Sequence, residues 1–545
     1  MSKTYLLLDD EAINNIESDE EEEDENQDDF DLLNKEKNNC LEKLIVIDLD
    51  SNKEQELIDY LLSSDCTLSD LHVKNNPAKP LIKLISILQY SSSLSRLRLH
   101  LRHITHSIVR DIEQAIERLQ LIELEVRMEN SEVDFTYSPF RCLFLSRSLK
   151  RLSFDSLPAK WNRDLVKACQ IERLKEFNLI NTVLNKEDLE LLSSYLKTHK
   201  KLQKLNLMNC GIVSSPDLPS CLESLVFSNN NLNNSELSNL LTKLSKLKYK
   251  YSVNLKRNLV SSIGLTAIKR FLLKNSLCLE FSISKNLVSQ DLYVDYTSLL
   301  NYNNTVTTLD LDWIVISKPE AFTSYIKNQK TLRTLRARYC GMKDGVLLSF
   351  MKSILVLDSS NMISTLDVSG NEVTDKHCVK EIGRLIQFRQ ILENIIMDGC
   401  MKIGFSDNKE TKDSDYEGFA NKVEIGMFFM NANISTINYS NWSCEKGVFC
   451  ISAPRRKVLN ELSLKCLYLR NTPLLIEHED LFSTASVPYF EDIEIDYCLL
   501  HHLKNAKLNS LKIENEYSCM KQEKILYEIL VSNNTVLNKI RIKNM

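Results

Sequence analysis

The stretch LQKLNLMNCGI, residues 202–212, sets Leu202, Leu205 and Leu207 in the order L-x-x-L-x-L, with Cys210 and Ile212 behind them. Alternation after Leu205 has the two-residue period of a half-buried strand, and Asn-Cys-Gly reads as the turn that leaves it. The same spacing returns at about 27-residue intervals along nearly the whole chain. Clear copies are Leu94-Leu97-Leu99, Leu121-Leu124-Val126, Leu149-Leu152-Phe154, Leu332-Leu335-Ala337 and Ile363-Leu366-Val368. Val253-Leu255 and Phe281-Ile283 are weaker copies, and the frame near Leu41 and Leu44 is ambiguous. A fixed period of this size means stacked units, each packing only on its neighbours. About 19 units fit between residues 32 and 545.

Between the strand copies lie segments of helical period, including residues 54–62, 107–119, 186–197, 262–275 and 376–392. Each repeats apolar residues at i, i+3, i+4 and i+7, and Asn185 is placed to cap the third of them. Strand, turn, helix and turn at constant spacing predict an α/β fold with a parallel sheet and its helices on one face. A helix is wider than a strand, so the stack should bend, with strands on the concave side and helices on the convex side.

Five residues after the second apolar position stand Asn76, Cys210, Asn230, Asn258, Asn286, Cys340, Asn371, Cys400 and Cys498. A buried amide or thiol there can satisfy backbone groups at the turn. That reading makes these cysteines structural, and Trp442 occupies the same position. Units of this length, with long helices and Asn or Cys at that place, resemble the ribonuclease-inhibitor-like class of leucine-rich repeats. The resemblance covers about residues 32–545. It implies a solenoid of horseshoe form whose concave sheet binds protein partners. It does not imply one activity, because such relatives share a scaffold rather than a site.

Three repeats depart from the period. Leu205 to Leu225 spans only 20 residues and contains Pro216 and Pro219, and Ile493 to Leu511 spans 18. Ile395 to Ile437 spans 42 and holds the polar stretch 406–418, read as an exposed insertion.

The net charge of −6 is unevenly placed: residues 17–31 hold eleven acids and no base, leaving about +7 on residues 32–545. Dense like charge with little to bury predicts a disordered acidic arm over residues 1–31. Ser18, with Glu21 three residues on, is a candidate phosphorylation site for an acid-directed kinase. The amino-terminal residues lack the pattern of a signal peptide, and no apolar run reaches membrane-spanning length. The expected location is cytoplasmic or nuclear, with the 15 cysteines reduced.

Residues between the apolar positions of each strand should face the concave surface. They nominate Arg96, Arg98, His100, Arg127, Asp310, Asp312, Arg336, Arg338 and Asp367 as partner-binding residues. Alternating charge blocks suit a charge-patterned protein better than a polyanion, and the absence of interleaved aromatics disfavours nucleic acid. His100, His103 and His106 straddle a strand end with no acid or cysteine to complete a metal shell. No phosphate loop, G-x-G-x-x-G, C-x-x-C or G-x-S-x-G occurs, and only 11 glycines are present. The sequence therefore nominates no catalytic residue, cofactor or metal, and the expectation is a non-enzymatic protein-binding scaffold. Two alternatives are a GTPase-activating protein of the Ran type, using Arg102, and a tropomodulin-like cytoskeletal regulator.

Overall fold

In the computed structural model, the structure describes residues 4–7, 43–47, 51–63, 66–74, 82–91, 93–101, 106–128, 138–141, 143–286, 305–316, 330–355, 362–389, 391–403, 422–425, 434–444, 448–451, 465–469, 474–476, 492–496, 510–514 and 539–543. The chain divides into two compact units, Met1–Leu259 and Val260–Met545.

The first unit is built on β1 (Thr4–Leu7), β2 (Lys43–Ile47), β3 (Asp70–Lys74), β4 (Arg96–Leu101), β5 (Glu123–Met128), β6 (Arg151–Asp155), β7 (Glu176–Ile180), β8 (Lys204–Asn206), β9 (Ser224–Val226) and β10 (Tyr251–Asn254). They pair in sequence order, every pairing parallel. Leu44, Leu71, Leu97, Leu124, Leu152 and Phe177 fall opposite one another. This register fixes the frame near Leu44. β1 lies within the segment expected to be disordered. Its run Tyr5-Leu6-Leu7 is apolar, unlike the acids that follow, and it pairs along β2.

The second unit continues the pattern with β11 (Cys278–Ser282), β12 (Thr308–Asp310), β13 (Thr334–Arg336), β14 (Thr365–Asp367) and β15 (Asn394–Ile396). Short β16 (Lys402–Ile403) and β17 (Lys422–Glu424) stand beside its main sheet in sequence, which resumes at β18 (Thr436–Asn438). β19 (Ser443–Cys444) pairs with β16, and β20 (Val448–Ile451) pairs with β17 and with β22 (Leu474–Ile476). β21 (Cys466–Tyr468), β23 (Asp492–Asp496), β24 (Ser510–Glu514) and β25 (Lys539–Lys543) complete the main sheet, again parallel and in sequence order.

Among the described residues, helices fill many of the strand-to-strand connections. The helices at Ser51–Leu62, His106–Arg118, Lys186–Thr198, Ser262–Lys274 and Lys376–Phe388 match the segments of helical period. Asn185 accepts a hydrogen bond from the Asp188 amide at 2.8 Å, so the cap read from sequence is made. Helices of successive repeats pack on one another, as Ser51–Leu62 does on Ile82–Ile87 and Asp344–Leu355 does on Lys376–Phe388. The 20-residue repeat between β8 and β9 has no helix, because its prolines remove backbone donors where a helix would run.

The core sits between sheet and helices. Leu97, Leu124, Leu152, Phe177, Leu205 and Leu225 are buried from the strands, and Leu192, Leu196, Leu237 and Leu240 from the helices. These solenoid-like α/β units thus bury one sheet face and leave the alternate side chains of each strand on the other. Among the described residues, no helix is long and apolar enough to cross a membrane.

Candidate functional site

The open sheet face begins with its turns. In every repeat from β6 to β15 and at β18, the fourth residue after the central apolar position has positive φ. This column is Ser156, Asn181, Asn209, Asn229, Arg257, Lys285, Trp313, Tyr339, Gly370, Gly399 and Asn441. The next residue turns inward. Cys210 donates its thiol hydrogen to the Leu179 carbonyl (3.2 Å), Asn230 its amide to Leu207 (2.7 Å) and Asn258 to Phe227 (2.9 Å). Cys340 donates to Leu311 (3.3 Å), Asn371 to Ala337 (2.8 Å) and Cys400 to Val368 (3.1 Å). Each acceptor is the same carbonyl of the preceding repeat. Trp442 does this with its indole N–H, which reaches the Met397 carbonyl at 2.7 Å.

The asparagines do more than the cysteines. Asn230 Oδ1 also accepts the Cys210 and Ile212 amides, and Asn371 Oδ1 those of Cys340 and Met342. Asn286 donates to the Ile283 carbonyl of its own turn and accepts from the Val260 amide. Thr182 stands at the same place and donates within its own turn to Ile180. Burial pushes the Cys210 and Cys278 thiols up to about 12, and Cys340 and Cys400 are raised as well. They stay protonated donors at neutral pH rather than nucleophiles. Asn76 and Cys498 lie outside the described residues.

On the face of the first unit, the sequence-nominated cations meet carboxylates. The register sets Arg96 opposite Glu123 and Arg98 opposite Glu125. Arg98 lies 3.2 Å from Glu123, 3.7 Å from Glu125 and 3.8 Å from Asp70. Partial burial would lower its pKa, but Asp70, Glu123 and Glu125 together raise it. His100 Nε2 is 3.4 Å from Glu125 and its ring packs edge-on against His72 at 4.6 Å. Glu125 is held below the usual carboxylate range by its hydrogen bond with His100, against partial burial, with help from the charges of His100, Arg98 and His72. Arg151 holds Glu123 from the other side. Arg127 reaches Asp155 at 3.5 Å. From Asp155 a ladder runs along the turn: Asn181 donates to Asp155, Asn209 to Asn181 and Asn229 to Asn209, at 2.7, 2.7 and 2.8 Å.

In the second unit, Asp310, Asp312 and Asp367 are buried rather than presented to solvent. Asp310 accepts the Asp312 amide (3.0 Å) and Asp367 the Ser369 amide (3.1 Å), a side-chain turn that Asn206, Asn254 and Asn438 also make. Arg338 donates through Nε to Asp312 at 2.7 Å and lies 3.7 Å from Asp367. That hydrogen bond, with the charges of Asp312, Asp367 and Asp310, raises Arg338 despite its partial burial. Burial raises Asp367, although hydrogen bonds from Ser369 and the Arg338 charge oppose the shift. Arg336 is exposed, as Arg96 is in the first unit.

The indoles divide. Trp161 and Trp442 are buried, whereas Trp313 is 48% exposed. Its ring stacks on Tyr339 at 4.6 Å, and Lys285 Nζ lies 4.0 Å from the other face. The positive φ at Trp313 aims it outward.

Among the described residues, no group of three or more His, Cys, Asp or Glu side chains is arranged to hold a metal ion. Ser18, Arg102, His103 and the 406–418 stretch lie outside the described residues, as does the side chain of His106. No protein-family model matches the chain, and no curated protein matches it.

Proposed function

We propose that this chain is a leucine-rich-repeat scaffold of the ribonuclease-inhibitor-like class, without enzymatic chemistry of its own. It holds a folded protein partner on the sheet face opposite the helices. The observation that carries the reading is the column of inward donors by which seven repeats are tied to the preceding one. A sheet braced at these turns presents its outward side chains in fixed positions, which lowers the ordering cost of binding. Arg96, Arg127 and Arg336 are exposed cations on that face. Arg98 and Arg338 are half-buried and act mainly to hold neighbouring acids in place.

The test is affinity capture from a lysate, with identification of the retained protein by mass spectrometry. Capture is then repeated with Arg96→Glu and Arg336→Glu. These exposed changes should lower capture at least tenfold while leaving the melting temperature near that of the wild type. Unchanged capture by both variants moves the partner off the sheet face.

A further inference from the structure

The edge of the first unit where its strands start carries a cleft of about 300 Å³. Lys150 and Arg151 contribute from the start of β6, Lys175 and Glu176 from β7, and Gln203 and Lys204 from β8. The backbone fixes them in adjacent rows: the Lys175 amide donates to the Lys150 carbonyl and the Gln203 amide to the Lys175 carbonyl, both at 2.8 Å.

The two rows differ in charge. Glu123, Arg151, Glu176 and Lys204 are successive partners in register and alternate in sign. That row closes on itself, since Arg151 holds Glu123 and Lys204 Nζ lies 3.7 Å from Glu176. Lys150 and Lys175 form the other row. They are exposed like charges on neighbouring strands whose backbones lie about 5 Å apart, and neither forms an ion pair among the described residues. Like charges set side by side in a sheet are unfavourable unless something lies between them.

We propose that this cleft binds a dianionic phosphate monoester, with Lys150 and Lys175 as its principal cations. Of the four cations that line the cleft, Arg151 is paired with Glu123 and Lys204 with Glu176, which leaves Lys150 and Lys175 as an excess of two positive charges. A dianion matches that excess, and a single carboxylate leaves half of it. The volume is at the lower end of the roughly 300–1,000 Å³ range of small-ligand sites, which suits a phosphoryl group rather than an extended chain. Lysines bind phosphate as point charges and need no planar fork. The phosphate could be carried by a phosphorylated side chain or by a small phosphorylated molecule. The cleft lies at the rim of the same sheet face where the strands start, sharing Arg151, Glu176 and Lys204 with it, and its test does not depend on the protein partner proposed above.

Calorimetric titration of the full chain tests the proposal. The probes are inorganic phosphate, a neutral peptide with one phosphoserine, and the same peptide with glutamate in its place. Both phosphate probes should bind, with affinity falling as salt rises. Lys150→Gln with Lys175→Gln should weaken them at least tenfold, Lys150→Arg with Lys175→Arg should keep them, and Lys186→Gln on the exposed face of a nearby helix should change nothing. Tighter binding of the phosphopeptide than of inorganic phosphate assigns the site to a phosphorylated partner; equal binding assigns it to a small phosphorylated molecule. Equal affinity in the double glutamine variant, equal affinity for the glutamate peptide, or no binding of either phosphate probe overturns it.

Discussion

Asn230, Cys210 and Trp442 are unlike side chains that perform one task, donating inward to the preceding repeat. The Asn and Cys places were legible because the period marks them whatever lies between. At Trp442 the position was visible but the donor role was not, since an indole reads first as bulk. Trp442→Phe deletes the N–H donor together with the five-membered ring, so the Met397 carbonyl keeps only the Cys400 amide and a cavity opens beside it. It should cost about 1–3 kcal/mol in chemical denaturation, and a loss near zero would mean that the remaining aromatic packing secures the turn. The column of positive φ was harder to read, because its demand falls on the backbone and is met by Ser, Asn, Arg, Lys, Trp, Tyr and Gly alike. The repeated Asn at 181, 209 and 229 was the available signal for its hydrogen-bonded part. At Gly370, φ is +67° and an added Cβ would run into the Tyr339 ring, which rests over that position. Gly370→Ala should therefore lose about 1 kcal/mol or more from the left-handed backbone alone. It should also weaken the near-ultraviolet circular dichroism of the Trp313–Tyr339 stack; an unchanged spectrum would show that the ring does not depend on the glycine.

At the scale of the strand, the sequence listed charges and the register paired them. Arg96 and Arg98 read as a basic patch within one strand, yet the same repeat frame sets them against Glu123 and Glu125 on the next. The burial of Asp310 and Asp367 was not legible, because an aspartate bonding its own strand looks in sequence like one facing a partner. Arg338→Ala would leave buried Asp312 without its cation. Breaking a fully buried pair costs roughly 3–5 kcal/mol, and the partial exposure of Arg338 brings the expected loss to about 2 kcal/mol. Arg336→Ala should stay within about 0.5 kcal/mol. Equal effects from the two in urea denaturation would contradict the division into bracing and presenting arginines. Acid provides a second test. The Glu125 pKa is depressed in the folded state, so its contribution is complete above the ordinary glutamate value and fades as pH falls through the depressed one. The stability advantage of wild type over Glu125→Gln should therefore hold from about pH 7 down to the ordinary glutamate value of about 4.3 and shrink only below it. Asp367 has the opposite sign, since burial raises it and its ionisation above that pKa works against folding.

For the whole molecule, the stacking order was legible because each repeat bonds to the next in sequence, and period alone determines that order. The side pairings of β16 with β19 and of β17 with β20 and β22 were not, since they arise where the period stretches to 42 residues. A chain whose repeats touch mainly their neighbours should yield locally when one core residue is lost. Leu205 is buried at the centre of β8, with β7 and β9 on either side. Leu205→Ala removes core contacts worth about 2–5 kcal/mol. In hydrogen exchange, protection should fall first in β7, β8 and β9, where the lost contacts are shared. The amides of β13, β14 and β15 belong to the other compact unit and should keep their wild-type rates. A uniform loss across both units would show one cooperative transition and would remove nearest-neighbour packing as the source of stability.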